Sequence, residues 1–196
     1  TYLINELGLV VHTWKSAYTP SGSVYLLEDG HLLRGARNPN LAGFNGGGQG
    51  GRIEKIAQDG TVLWEWEYAT EKHLLHHDIE PLPNGNVLAI AWESKTPQEA
   101  ASVGRRPDLI PKGGLWPDHI VEVEPQGLNG GRIVWEWHAW DHLVQHIDNG
   151  LPNYGDPSKH PERIDINANQ AAMDIDPEEL ARLKAIGYVP DDADAE

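Results

Sequence analysis

Gly60-Thr-Val-Leu-Trp-Glu-Trp66 and Gly131-Arg-Ile-Val-Trp-Glu-Trp137 are two copies of one phrase, each closing on the same Trp-Glu-Trp. A looser copy is Gly8-Leu-Val-Val-His-Thr-Trp14. A second phrase pairs Leu82-Pro-Asn-Gly-Asn-Val-Leu88 with Leu27-Glu-Asp-Gly-His-Leu-Leu33. In both, an Asx-Gly turn joins two apolar runs, the strongest short-range hairpin signal. Self-similarity of this kind marks a repeat architecture, and the copies starting at residues 8, 60 and 131 lie about a blade of four strands apart.

Working outward, alternation of apolar and polar residues is plain in Thr61-Val-Leu-Trp-Glu-Trp-Glu67 and His119-Ile-Val-Glu-Val-Glu124. It predicts strands near 8–14, 22–28, 31–37, 51–57, 61–67, 77–82, 86–93, 118–124 and 131–137. No segment between about 14 and 137 offers a helical period. Residues 43–51 read as a mobile glycine-rich connection and 94–117 as a polar, Pro-rich one. The fold class is therefore all-β, and the architecture predicted is a partial β-propeller of about two to three blades.

Closed propellers have about four to eight blades. Residues 1–137 are assigned to blades and 138–196 to an irregular extension. Asp176-Pro177-Glu178-Glu179 opens a short C-terminal helix near 177–186, with Asp as cap, Pro in the first turn and acids at the positive end. Leu180, Leu183 and Ile186 form its apolar stripe, and an acidic tail follows. An open ring would leave Trp64, Trp66, Trp135 and Trp137 poorly buried. The missing blades would come from a companion chain or from the C-terminal part of the same gene product. A chain that begins at Thr1 reads as processed or cut from something longer.

Composition agrees with many short strands and tight turns: 8 Trp, 6 Tyr, 21 Gly and 14 Pro among 196 residues. The formal charge of −15 argues against nucleic acid or an anionic membrane as partner, since both would be repelled. No apolar run approaches the roughly 18 residues needed to span a bilayer. There is no Cys, which removes disulfides and thiolate metal sites.

Two clusters could carry chemistry. The first is His76-His77-Asp78, at the start of the strand that enters the Leu82–Leu88 hairpin. Alternation sends His77 to the face opposite His76 and Asp78. A histidine there could hold an anionic oxygen, act as acid or base, or bind metal; equally, the three could simply order the strand. Adjacent histidines on a regular strand diverge, so a metal site would need at least two further ligands. The second cluster runs from Trp137 through His138, Trp140, Asp141 and His142 to His146. On a helix, His138, His142 and His146 would share a face; as a loop, Trp140, Asp141 and His142 would form a substrate wall or an aromatic-packed corner. The glycine-rich loop lacks the Gly-Lys-Ser/Thr ending of a phosphate-binding loop, and no Gly-x-Ser-x-Gly is present. No cofactor is called for by any motif.

These stretches, His76-His-Asp-Ile-Glu-Pro-Leu-Pro-Asn-Gly-Asn-Val-Leu88, Gly60 to Trp66 and Val134-Trp-Glu-Trp-His-Ala-Trp-Asp-His-Leu-Val-Gln145, resemble the arylsulfotransferase family of bacterial secreted β-propellers. The resemblance extends over most of residues 8–167. It implies a six-bladed ring, a periplasmic or extracellular location, and transfer of a sulfuryl group from an aryl sulfate to a phenol through a sulfated histidine. It also implies that His77 is a channel histidine contacting the sulfate. The family's nucleophilic histidine, and its Trp-x-x-His-x-Asn element, have no match in this chain. Two further readings stand beside it: a non-catalytic propeller that binds a ligand or partner, and a metal-dependent enzyme using the histidine clusters.

Overall fold

The computed structural model describes residues 1–38, 44, 46–168, 181, 182 and 185. Strands dominate: β1 (Tyr2–Ile4), β2 (Val10–Thr13), β3 (Pro20–Leu26), β4 (Leu32–Arg37), β5 (Gly51–Ile56), β6 (Val62–Glu67), β7 (His73–Pro81), β8 (Val87–Glu93), β9 (Asp118–Gln126), β10 (Gly130–His138), β11 (Leu143–Val144) and β12 (Ile164–Asp165). Each of the strands expected from alternation is present, and the protein is all-β in class. There are two four-stranded meanders, in the orders β3-β4-β5-β6 and β10-β9-β8-β7, and two separate two-stranded sheets, β1-β2 and β11-β12. Among the described residues no sheet closes on itself.

The meanders form because one turn is used repeatedly. In Leu27-Glu-Asp-Gly-His31, Ala57-Gln-Asp-Gly-Thr61 and Leu82-Pro-Asn-Gly-Asn86 the first residue's N–H donates to the fifth residue's carbonyl, and the glycine's N–H donates back to the first. The Asx side chain accepts from the fifth residue's N–H at 2.9–3.0 Å. Glycine occupies the fourth place because φ there is positive, +78°, +90° and +87°.

The chain divides into two compact units. The first comprises Thr1–Phe44, Gly48–Trp92 and His119–Trp137. Its core lies between the two meanders: Leu33, Ile53, Trp64 and Trp66 from one meet Leu75, Ile79, Val87, Ala89, Ala91, Val121 and Val123 from the other. Inward residues alternate along β8 (Val87, Ala89, Ala91) and β9 (His119, Val121, Val123), as the period of two requires. Trp64 and Trp66 are only 4% and 8% exposed, contrary to the expectation that both tryptophan pairs would be wet. The second meander covers the first pair from within the chain, and the Trp64 indole N–H donates to the Gly130 carbonyl at 2.7 Å. Trp135 on the outer strand β10 does remain 48% exposed.

The second unit comprises Asn45–Gly47, Glu93–Asp118 and His138–Glu196. A helix, α1 (Pro97–Ser102), lies within the polar, Pro-rich connection 94–117, where no helical period was expected. Thr96 caps it, the Glu99 carboxylate closes the capping box, and Pro97 stands at the first helical position. Residues 139–168 are tied together largely by amide side chains. Gln145, fully buried, donates to the Asp148 carbonyl and accepts from the Ile147 and Asp148 N–H groups. Asn153 donates to the Val103 carbonyl, and Asn167 donates to Gly104 and accepts from the Arg106 N–H. A short parallel pairing, β11 with β12, survives here, so strand structure does not stop at 138. Of the helix expected near 177–186, Ala181, Arg182 and Ala185 are helical; the remainder lies outside the described residues.

Candidate functional site

The histidine pair sits within β7, an edge strand of the second meander. Strand alternation breaks there: Leu74, Leu75 and His76 are buried in succession, and His77 and Asp78 are both exposed. The step from His77 to Asp78 coincides with an unusual backbone: His77 is the single non-glycine residue with positive φ, +52°, among the described residues. A left-handed residue swings its side chain off the alternating path. His77 therefore does not point opposite His76. The two rings converge, Nδ1 to Nδ1 at 2.7 Å, with planes at 90°.

Surrounding backbone holds this conformation. The His77 N–H donates to the Gly48 carbonyl at 2.7 Å, Gln49 bridges to His76, and the Gly50 N–H donates to the Leu75 carbonyl at 2.9 Å. A Cβ on Gly48 would come 2.5 Å from the His77 ring, and one on Gly22 would overlap the His77 carbonyl oxygen. The described end of the glycine-rich stretch, 48–51, is thus bonded along β7, not a loose connection. Glycine is needed because the backbone lies against the imidazole. The inner ring, His76, is 5% exposed and stacks on Trp92 of β8 with centroids 4.2 Å apart and planes 18° apart. Trp92 also stacks on Phe44.

Asp78 accepts from its neighbour's Ile79 N–H at 2.8 Å and from the Tyr25 hydroxyl at 3.3 Å. Burial, with help from the Asp78 and Glu80 carboxylates, pushes the Tyr25 phenol up to about 12, so it stays a protonated donor. A pocket of about 10 Å³, room for roughly one water, lies among Ser21, Ser23, Gly50 and His76. It is too small for an organic ligand, so any larger molecule would meet His77 from its exposed side. Arg52 lines the same pocket, but its guanidinium is committed to Glu65 at 2.9 Å, Glu67 at 2.6 Å and the face of Tyr18.

Trp140, Asp141 and His142 fall in the second unit, on a single 3-10 turn, Ala139–His142. His138 closes β10 before that turn and His146 follows β11, so His138, His142 and His146 do not share a helical face. His138 instead turns Nδ1 toward the Glu93 carboxylate at 3.3 Å. The Lys95 ammonium meets the same oxygen at 2.8 Å and lies over the Trp140 ring, 5.1 Å from its centroid. Among the described residues no three His, Asp or Glu side chains gather in a metal-holding group.

Several partners escaped sequence reasoning. Gly22, Gly48 and Trp92 reach His77 and His76 only through tertiary packing and leave no local signal. Glu93 does leave one: continuing the inward series Val87, Ala89, Ala91 places a charge at a buried position, and Glu93 is 5% exposed. A stack of Trp66, Tyr68 and His73, with the Tyr68 hydroxyl 3.2 Å from Nε2 of the fully buried His119, also went unseen.

The fold thus defines an all-β protein of four-stranded meanders with a histidine pair on an edge strand, one member of it left-handed. Comparison with protein-family models, with curated proteins and with solved structures returned no match.

Proposed function

We propose that this chain supplies blades to an arylsulfotransferase-like β-propeller, periplasmic or extracellular, that moves a sulfuryl group between phenolic compounds. Two features support the propeller: both large sheets are four-stranded meanders, the unit from which blades are made, and they pack face to face. The observation that carries the chemistry is the His76–His77 pair. A left-handed histidine costs about 1–3 kcal/mol, and such strain concentrates where a side chain must be aimed.

In this reading His77 offers an N–H to the oxygens of the group in transit. The S–O bond of the aryl sulfate breaks and the phenolate leaves with the electron pair. A histidine nitrogen on a companion polypeptide, or on the C-terminal part of the same gene product, takes the sulfuryl group. A phenol oxygen then takes the sulfuryl group as the N–S bond breaks, and the phenol's proton passes to the histidine nitrogen so freed and from there to the departed phenolate. A fixed donor aimed at charge on the sulfuryl oxygens stabilises both transfers. Asp78 supports the strand and Tyr25. Trp140, Asp141 and His142 are assigned to substrate by family resemblance alone.

The test is release of 4-nitrophenolate from 4-nitrophenyl sulfate in the presence of phenol, using the assembled protein. Replacing His77 with Ala should lower turnover about 100- to 1000-fold, the usual cost of losing one such donor. An unchanged rate removes His77 from the reaction, and no turnover by the wild-type assembly ends the sulfuryl-transfer reading.

A further inference from the structure

The contact between His76 Nδ1 and His77 Nδ1 carries a consequence beyond sulfate contact. At 2.7 Å between two nitrogens there is room for one hydrogen. A neutral imidazole carries its proton on one nitrogen and a lone pair on the other, whereas an imidazolium donates from both. Neutral, the pair must therefore place one Nδ1–H against one Nδ1 lone pair, which forces opposite tautomers on the two rings. One ring then shows a lone pair at Nε2 and the other an Nε2–H. Adding one proton leaves the shared N–H in place. Adding a second would set two N–H groups head to head and break the contact.

We propose that His76 and His77 are a single proton-sharing couple that carries at most one positive charge while intact, with His76 as the positioning residue that sets the tautomer of His77. His76 suits that role because it is buried, stacked on Trp92 and bridged by Gln49. His77 suits the outward role because Gly48 and Gly22 fix its backbone and leave the residue exposed. Charged and titratable groups around the couple include Asp78 on its own strand, Tyr25 on β3, which donates to Asp78, and Arg52 on β5, which lines the same pocket. A couple limited to one charge matches a singly charged oxyanion such as a sulfate monoester. That ligand rests on the proposed function, while the proton sharing rests on geometry alone.

The experiment is long-range 1H–15N correlation of the full chain, labelled with 15N at histidine and titrated with acid. Expected are opposite tautomers for the two rings in the neutral state and one strongly deshielded proton on Nδ1. Both rings should shift together at a single midpoint as one proton enters. In His76→Phe, whose ring can keep the stack on Trp92, and in His77→Phe, that proton should vanish while near-ultraviolet circular dichroism shows the fold retained. If His76→Phe does not fold, the wild-type spectra still decide. Two rings with the same tautomer, or two independent midpoints with two protons taken up and the contact intact, would overturn the couple. Methyl sulfate is the ligand probe. Binding coupled to uptake of one proton upholds the match to a monoanion, and binding without proton uptake refutes it. Failure of sulfuryl transfer, with the single shared proton still seen, counts against the transfer reading alone.

Discussion

His77 is where local preference and tertiary demand conflict. An L-residue with φ near +52° inside a strand is disfavoured, and only close neighbours can hold it there. Gly48 is such a neighbour, and it is itself left-handed at +73° with its α-carbon face against the imidazole. Gly60 offers a control, since its φ is +90° but nothing lies within 4 Å of the Cβ position. Gly60→Ala should cost about 1–2 kcal/mol, the left-handed penalty alone. Gly48→Ala adds an overlap with the ring and should cost about 2–5 kcal/mol in denaturant unfolding. Equal costs at the two sites would mean that Gly48 does not brace His77. The histidine cluster itself was legible as a string of unusual residues, but its geometry was not. Regular alternation would have parted the rings, and the left-handed conformation of His77, held against backbone at residues 22 and 48, brings them together.

At the scale of elements, the meanders follow from alternation and from Asx-Gly turns, which is why their boundaries were readable to within a few residues. The exceptions are instructive. The helix α1 has no apolar stripe, Ala100 being its one buried residue, so a search for a 3.6-residue period passes over it. Its signal is instead Thr96-Pro97-Gln98-Glu99, a capping box that needs no period. Strand β5 carries Glu54 directly opposite Arg34 of β4 at 2.8 Å, with side chains only 2% and 4% exposed. The Ser16 hydroxyl donates to the same carboxylate, and Arg34 donates to the Tyr18 carbonyl at 2.7 Å. Such a pair registers the two strands, because a slip would strand one buried charge. Glu54→Ala should therefore cost about 3–5 kcal/mol in urea unfolding, far above the few tenths typical of exposed ion pairs. A cost below about 1 kcal/mol would show that the pair does not bind β4 to β5.

Two whole-molecule features stand out, an acidic charge and an apolar hairpin. The formal charge is −15, and the chain repels itself when folded. Raising ionic strength from about 0.01 to about 0.15 M shortens the Debye length from about 30 to about 8 Å and should raise the melting temperature by a few degrees. A melting point that falls with salt would mean that ion pairs such as Arg52 with Glu65 and Glu67 outweigh the repulsion. The β1-β2 hairpin is unlike the rest of this surface: Tyr2, Ile4, Leu7, Leu9, Val10 and Val11 are each more than half exposed. Apolar exposure on that scale marks a surface that associates.

From residue order alone came the class of the protein, its hairpins, the repeat that spaces them and the residues that stand out as reactive. Those are local properties, fixed by a two-residue period and by side chains acting within five positions of one another. The tertiary structure decided which tryptophans are covered, that Glu93 meets His138, and that His76 and His77 face one another. Each of these depends on backbone brought in from distant positions, and the left-handed turn at His77 exists only because packing outweighs the intrinsic preference of the residue.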